Sequence, residues 1–487
     1  MAELRDILYS VRITSTSGDM NVEVRGIAFD SRKVKAGFLF VASKGTQSDG
    51  HAFIDKAIAD GAVAVICEVL PEAINESVTY VTVKNSAHSL GIVCSNFYGN
   101  PSKKIKLVGV TGTNGKTTVA TLLYKLFGSL GHRCGLLSTV ENRIIDRVIS
   151  ATHTTPDPIQ INELLVEMLN AGCSHAFMEV SSHAVDQGRI EGLYFAGAVF
   201  TNITHDHLDY HRTFESYIRA KKGLFDGLPT DAFALVNIDD KRGMVMLQNC
   251  KARKHTYSLQ KLASFKGKII TNSIEGLEVD IDNRTVWFKL IGDFNAYNLL
   301  AVYGAAVLLE KEPEEILLKL SSMSGAVGRF ELVQPGSKFT AIVDYAHTPD
   351  ALKNVLETIQ HFRSGQEQVI SIVGCGGNRD KTKRPLMAAI ACKYSDKVIF
   401  TSDNPRDEDP MEIIREMQRG VGPTEAKKTL VMLDREEAIK TACMLAKEKD
   451  IILIAGKGHE TYHEVKGVKN PFDDREVVAR MLKMFAN

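Results

Sequence analysis

Thr111-Gly112-Thr113-Asn114-Gly115-Lys116-Thr117-Thr118 follows an apolar run from Ile105 to Val110 and precedes an amphipathic run that reaches Leu130 and stops at Gly131. The first run predicts a buried strand, and the second a helix closed by a glycine. A strand, a glycine-rich turn, a lysine and two hydroxyls opening a helix make a phosphate cradle. Backbone N–H groups and the helix N-terminus face the anion, Lys116 adds charge, and Thr117 is placed to hold Mg²⁺. The segment therefore predicts binding of ATP or a relative, without saying what the nucleotide is spent on. It departs from the usual G-x-x-x-x-G-K-[ST] pattern in carrying Val110 where glycine is common.

The 487 residues suggest about three domains at ~150 residues each. A hydrophobic share of 44% and a charged share of 24% are those of a soluble globular enzyme. Lys+Arg and Asp+Glu balance at 59 each, so the overall charge points neither to nucleic acid nor to a membrane surface. The eight cysteines have no CxxC spacing and sit mostly in apolar runs. Buried reduced thiols are expected rather than disulfides or a zinc site. The acid-containing start MAELRDILYS does not read as a signal peptide, and no apolar run is long enough to span a bilayer. A reduced, cytoplasmic setting is the expectation.

Residues 1 to about 100 mix short strands and helices: GIAFDSRKVKAGFLFVA reads as two strands joined by a turn, DKAIADGAVAVICE as helix then strand. A linker is expected at Phe97–Ser102 and a second boundary at Gly325–Arg329, giving units 1–100, 101–329 and 330–487. In the second unit strands at 107–110, 176–180, 198–202 and 234–237 alternate with helical runs, and the third repeats this at 341–344, 369–374, 397–401 and 451–455. That alternation predicts an α/β protein with a parallel or mixed central sheet.

Polar clusters follow these strands where ligands of α/β sheets gather. They are Glu179, His205-Asp206-His207, Asp344-Tyr345-Ala346-His347, Asp403-Asn404-Pro405-Arg406 and Gly456-Lys457-Gly458-His459-Glu460. Mg²⁺ favours oxygen ligands, which nominates Thr117 and Glu179. His207 is a less usual ligand but lies in a run with three histidines and two aspartates. Lys221 lies on a helix-like stretch, 214–225, where lysines are ordinarily solvated, so spacing gives it no special standing. The 403–406 segment can grip a zwitterionic amino acid through a guanidinium, with Arg379 and Glu460 adding a second cation and an anion for the amine. It also reads as an Asx turn with its arginine in solvent.

TGTNGKTT, MEVSSHAVDQGR, FTNITHDHLDYH followed by Lys221, GDFNAYNLLA, GRFE, DYAHTPDAL, GCGGNRDKTKRPLM, SDNPRDEDP and AGKGHETY together resemble the Mur ligase family, in its tripeptide-synthetase branch. The motifs occur in that family's order over most of the chain. The resemblance implies three domains: an N-terminal α/β domain for a UDP-sugar, a central P-loop domain for ATP, and a C-terminal Rossmann-like domain for an amino acid. It implies ATP-dependent addition of meso-diaminopimelate to UDP-N-acetylmuramoyl-L-alanyl-D-glutamate through an acyl phosphate, in peptidoglycan precursor synthesis, by a cytoplasmic monomer using Mg²⁺, two ions in all.

By that resemblance Gly112, Thr113, Asn114, Gly115, Lys116, Thr117 and Thr118 hold the phosphates, Asn295 and Asn298 the adenine, and Arg329 and Asp344 reach ATP from the third domain. Lys116, Glu179, His207 and Lys221 are catalytic. Thr117, Glu179, His207 and a carbamylated Lys221 are the metal ligands, with Lys222 one residue away as the alternative lysine. Ser31, Thr46, Gln47, Ser48, Thr154, Thr155, Ser181, Gln187 and Arg189 match the UDP-sugar contacts; His153 stands where the family often has asparagine. Arg379, Asp403, Asn404, Pro405, Arg406, Gly456 and Glu460 match the amino-acid contacts, and the intact 403–406 motif is the one that accompanies meso-diaminopimelate. The alternatives are an L-lysine-adding ligase of the same family, a folylpolyglutamate synthase-like ligase, a P-loop kinase or NTPase switch, and a nucleotide-binding scaffold without catalysis.

Overall fold

The computed structural model describes residues 1–487 except 46–47, 152, 205, 207, 334–337, 364 and 486–487. Among the described residues three large sheets of five, eleven and six strands succeed one another along the chain. Each is covered on both faces, because alternate residues of a strand point to opposite sides. In the central sheet Val108, Val110 and Phe177 enter one apolar core, and Leu107, Ala176 and Met178 the other. In the last sheet Ile342, Val369 and Val373 divide in the same way from Val343, Ile370 and Ile372. In the first, Leu39, Val41 and Ile66 face one core, Phe40, Val65 and Cys67 the other. Three double-sided cores make a three-domain α/β protein.

The first sheet runs Ile13–Ser17, Thr79–Val83, Ala62–Cys67, Phe38–Val41, Gly26–Ala28. The two strands read from GIAFDSRKVKAGFLFVA pair in parallel, with a 3-10 turn at Ser31–Lys33 between them. All eight cysteines are free and buried.

In the central sheet Lys106–Thr111 lies between His175–Glu179 on one side and Gly197–Phe200 on the other, all parallel. The chain leaves Lys106–Thr111 towards one side of the sheet and returns on the other, so this strand borders the topological switch point, beyond whose carboxyl end ligands bind in such sheets. Val110 is fully buried and paired with Glu179 and Val199, so it belongs to the strand rather than to the loop. The following helix spans Lys116–Ser129, and Gly131 closes it at φ +84. An antiparallel extension, Phe265–Ser273, Gly276–Ile281 and Arg284–Phe288, lengthens this sheet on its far edge.

The last sheet places Thr340–Asp344, Ile451–Ala455, Val369–Val373 and Lys397–Phe400 side by side and parallel, with Glu331–Val333 antiparallel at one edge. Its carboxyl ends carry Asp344, Gly456, Gly374 and, after Phe400, Asp403.

Candidate functional site

The carboxyl ends of the central and last sheets border one cavity of 1210 Å³. On the central side the loop 112–118 forms its floor. Gly112 adopts φ +151, and a Cβ there would lie 1.9 Å from Thr201 Oγ1; Gly115 adopts φ +87. Both positions need glycine. Asn202 shapes the loop by accepting from Asn114 N at 3.0 Å and, through its backbone O, from Thr113 N at 2.8 Å. The N–H groups that open the Lys116–Ser129 helix precede its first i→i−4 bond and face an incoming anion.

Lys116 folds back over the loop, with Nζ donating to the carbonyls of Gly112 and Thr113 at 2.9 Å each. Burial lowers its pKa. Lys221 Nζ donates to the same Gly112 carbonyl at 2.7 Å. It is 1% exposed, although it lies on the helix Phe214–Asp226. Burial first, and Lys116 second, push its pKa well below the ordinary lysine range. Lys222 turns away to Asp226 Oδ1 at 2.5 Å, so geometry distinguishes the two neighbours.

Glu179 is fully buried. Its carboxylate accepts from Thr117 Oγ1 at 3.0 Å, Thr139 N at 2.8 Å and Thr139 Oγ1 at 3.2 Å. An anionic oxygen beside a hydroxyl at the mouth of a phosphate loop is a donor set suited to Mg²⁺, which binds through few carboxylates and leaves room for water and phosphate oxygens. Among the described residues no group of three or more His, Cys, Asp or Glu forms a cage. His207 lies outside the described residues, as do Thr46 and Gln47. Thr139, which fixes both oxygens of Glu179, was missed by the sequence reading; its signal was a hydroxyl just after the strand Cys134–Leu137.

The C-terminal side closes over the loop through two contacts. Arg329 Nη2 donates to Thr117 Oγ1 at 3.1 Å, and Asn114 Nδ2 donates to Asp350 Oδ2 at 3.0 Å. Arg329 also lies over the Tyr345 ring, 4.5 Å from its centroid, and its Nε is buried without a partner. A buried unpaired guanidinium N–H beside a phosphate loop is a donor ready for a phosphate oxygen. Asp344 accepts from Phe330 N at 2.6 Å, and burial raises its pKa to about 6 against the pull of Arg329.

Of the two adenine-matched asparagines, Asn298 lines the cavity. Asn295 sits behind it, its Nδ2 donating to Ile291 O and its Oδ1 accepting from Asn298 Nδ2. Thr154, Thr155, Ser181, Arg189 and also His153 line another stretch of wall. Arg189 joins that stretch to Gln187, donating to Thr155 O at 2.8 Å and to Gln187 Oε1 at 2.6 Å. Ser31 and Ser48 belong to the first sheet's part of the chain and are not among the lining residues.

The remaining wall holds Arg379, Asp403, Asn404, Arg406, Gly456 and Glu460. Asn404 is not in an Asx turn: its Nδ2 donates to Glu460 Oε2 at 2.7 Å and its Oδ1 accepts from Lys457 Nζ at 2.9 Å. Pro405 turns the chain so that Arg406 adopts φ +50. Arg406 Nη1 then donates to Gly377 O at 2.8 Å, and Nε lies 3.5 Å from Glu464 Oε2. Part of its guanidinium still faces the cavity. Arg379 is exposed at the cavity edge. The wall thus offers two guanidinium groups and two carboxylates, complementary to an amino acid.

The chain matches three models of one family: residues 23–98 the model described as "Mur ligase family, catalytic domain", 110–306 "Mur ligase middle domain", and 328–458 "Mur ligase, glutamate ligase domain". It is 60% identical over 481 residues, 99% of each chain, to the UDP-N-acetylmuramoyl-L-alanyl-D-glutamate–2,6-diaminopimelate ligase of Cytophaga hutchinsonii. It is 42% identical over 467 residues, 94% of each chain, to the protein of the same name from Bacillus cereus. A solved structure titled with that ligase name superposes at a TM-score of 0.70 with 32% identity, covering 100% of this chain and 99% of the other. A folylpolyglutamate synthase of Mycobacterium tuberculosis superposes at 0.63 with 16% identity over 76% of this chain and 93% of that one, a likeness of fold alone.

Proposed function

The chain belongs to the Mur ligase family, and from that premise we propose that it is the ATP-dependent ligase that adds meso-diaminopimelate to UDP-N-acetylmuramoyl-L-alanyl-D-glutamate in peptidoglycan precursor synthesis. The observation that carries the reading is the single cavity in which a phosphate loop faces a wall of two arginines and two carboxylates. A phosphate donor and an amino acid brought to one space are what amide ligation needs.

The γ-phosphoryl group passes to the terminal carboxylate of the dipeptide, giving an acyl phosphate and ADP. The free amine of diaminopimelate attacks the acyl carbon, the tetrahedral adduct collapses, and phosphate leaves as the amide forms. A carboxylate is a poor electrophile, and phosphorylation gives it a leaving group; the protein supplies position and charge neutralisation. Gly112 to Thr118 hold the phosphates, with Lys116 and Arg329 against the charge that develops on them. Thr117, Glu179 and His207 would hold Mg²⁺, which would supply neutralisation of phosphate charge. Lys221 is the carbamylated residue. Burial and then Lys116 lower the pKa of its amine, which favours the neutral form that adds CO₂; the addition releases a proton and gives an anionic oxygen that would serve a second Mg²⁺. Asn298 lies at the adenine with Asn295 orienting it, and Asp344 holds Phe330 and so the Arg329 turn. Ser31, Thr46, Gln47, Ser48, Thr154, Thr155, Ser181, Gln187 and Arg189 bind the UDP-sugar.

Arg379 and Arg406 take carboxylates of diaminopimelate, and Asp403 and Glu460 its ammonium. L-Lysine lacks the far carboxylate and leaves a guanidinium poorly compensated, which gives discrimination a physical basis. We take the units as 1–100, 101–329 and 330–487. Among the described residues no helix is long and apolar enough to cross a membrane, and we place the enzyme in the cytoplasm as a monomer acting on small molecules.

The test is incubation of the purified protein with the UDP-muramoyl dipeptide, ATP, Mg²⁺ and either meso-diaminopimelate or L-lysine. Mass spectrometry should show one amide formed per ADP, with diaminopimelate preferred. A phosphorylated acceptor without amide, ATP hydrolysis indifferent to the dipeptide, or equal use of lysine would overturn the reading.

A further inference from the structure

Lys457 is 0% exposed and lies behind the amino-acid wall rather than in its lining. Its Nζ is 2.9 Å from Asn404 Oδ1, 3.5 Å from Glu460 Oε2 and 3.8 Å from Asp403 Oδ1, above the Tyr462 ring at 5.6 Å. An ammonium can only donate. It therefore fixes which way the Asn404 amide points: the oxygen must face Lys457, where Glu464 N also donates to it at 2.9 Å. The amide nitrogen is then left for Glu460 Oε2 at 2.7 Å. Tyr345 Oη reaches the other oxygen of Glu460 at 3.4 Å.

A second buried cation adds to the pull on Asp403 but makes its contacts elsewhere. Arg435 is paired with fully buried Asp474 through Nε and Nη2, at 2.8 Å each, and donates to Ala455 O. That pair is neutral in sum. Arg406 is engaged with Glu464, and burial lowers the pKa of His347, to about 4, and that of His463. Lys457 is therefore the cation in contact with both carboxylates.

We propose that Lys457 is a positioning residue that keeps Asp403 and Glu460 ionised together and helps to hold Asn404, so that both carboxylates are available to the ammonium of the incoming amino acid. The proposal rests on the functional reading above. Two neighbouring carboxylates away from water do not both ionise without a cation beside them. Burial pushes Asp403 up, but Lys457 and then Arg435 outweigh it and its carboxyl lies below the usual range; burial and Asp403 together leave Glu460 above it. Loss of Lys457 would put a proton on the pair, leave one carboxylate in place of two for the ammonium, and remove one of the two donors to Asn404 Oδ1.

The experiment is steady-state kinetics of wild type and Lys457→Met for all three substrates between pH 6.5 and 8.5. KM for meso-diaminopimelate should rise at least tenfold, and more at pH 6.5 than at pH 8.5. KM for ATP and for the UDP-muramoyl dipeptide should stay within twofold. A rise shared by all three substrates, or no rise for diaminopimelate, would overturn the proposal. In thermal melts, Asp403→Asn placed in the Lys457→Met background should restore stability without restoring KM, because it removes the second carboxylate. Additive losses in that double variant would also overturn it. If wild type forms no amide with diaminopimelate the functional reading falls, while the melts still report the coupling of Lys457 to Asp403.

Discussion

Replacing Arg406 by alanine separates amino-acid recognition from nucleotide binding. The side chain is about one-fifth exposed, with one N–H spent on Gly377 O and Nε 3.5 Å from Glu464. What remains can offer a carboxylate one or two charge-assisted hydrogen bonds, at about 1.5–3 kcal/mol each. Partial exposure and the nearby Glu464 reduce the sum, so about 2–4 kcal/mol is expected, or roughly 30- to 1,000-fold in kcat/KM for meso-diaminopimelate. Folding should change little. Arginine and alanine bear the same cost at φ +50, and the backbone bonds of residue 406 to Glu464 O and from Lys466 N are untouched. L-Lysine has no far carboxylate to lose, so its kcat/KM should hold and the preference between the two amino acids should collapse. The assay is amide formation with each amino acid, together with KM for ATP. An unchanged preference, or a parallel loss of ATP binding, would refute the reasoning.

Glu179→Gln keeps an acceptor for Thr139 N–H but removes the buried charge beside Thr117; kcat should fall about 10²- to 10³-fold with the circular dichroism spectrum unchanged. A rate near wild type would remove Glu179 from the metal site. Lys221→Ala should lose activity that added bicarbonate does not restore, and a ¹³C-bicarbonate carbamate resonance seen in wild type should vanish; its persistence would assign the carbamate elsewhere. Asp344, with a folded pKa of about 6 against a usual 3.8, keeps its proton in the folded state at pH values where the unfolded chain has lost it. Stability therefore falls as pH rises through that window, by about 3 kcal/mol once above pH 6. Asp344→Asn should gain on wild type between pH 4 and 7 in chemical denaturation and lose any acid limb of kcat/KM for ATP near pH 6; parallel curves would show that Asp344 is not the group titrating.

Much of this was legible in the chain. The strands at 107–110, 341–344 and 451–455 stand where apolar runs placed them, because strands buried on both faces read as continuous hydrophobic stretches. The phosphate loop declared itself because glycines at φ +151 and +87 and a helix-opening lysine are local requirements. Cysteine spacing pointed to buried reduced thiols rather than disulfides, and the thiols are free and buried. The nine motifs in order carried the family.

Sequence alone determined the elements, the chemistry at the strand ends and the kinship, since each is written in neighbouring residues. Tertiary structure decided which side chains leave water. Lys221 looked like any helical lysine; it is buried because its helix packs its Nζ onto Gly112, 109 residues away in the chain. Asn295 and Asn298 looked equivalent, yet one supports the other from behind. Lys457 was one member of the 456–460 cluster, with no role of its own, until the fold set it against Asn404, Asp403 and Glu460. Burial, and with it charge state and hydrogen-bond direction, depends on what the rest of the chain brings alongside, and that information is non-local.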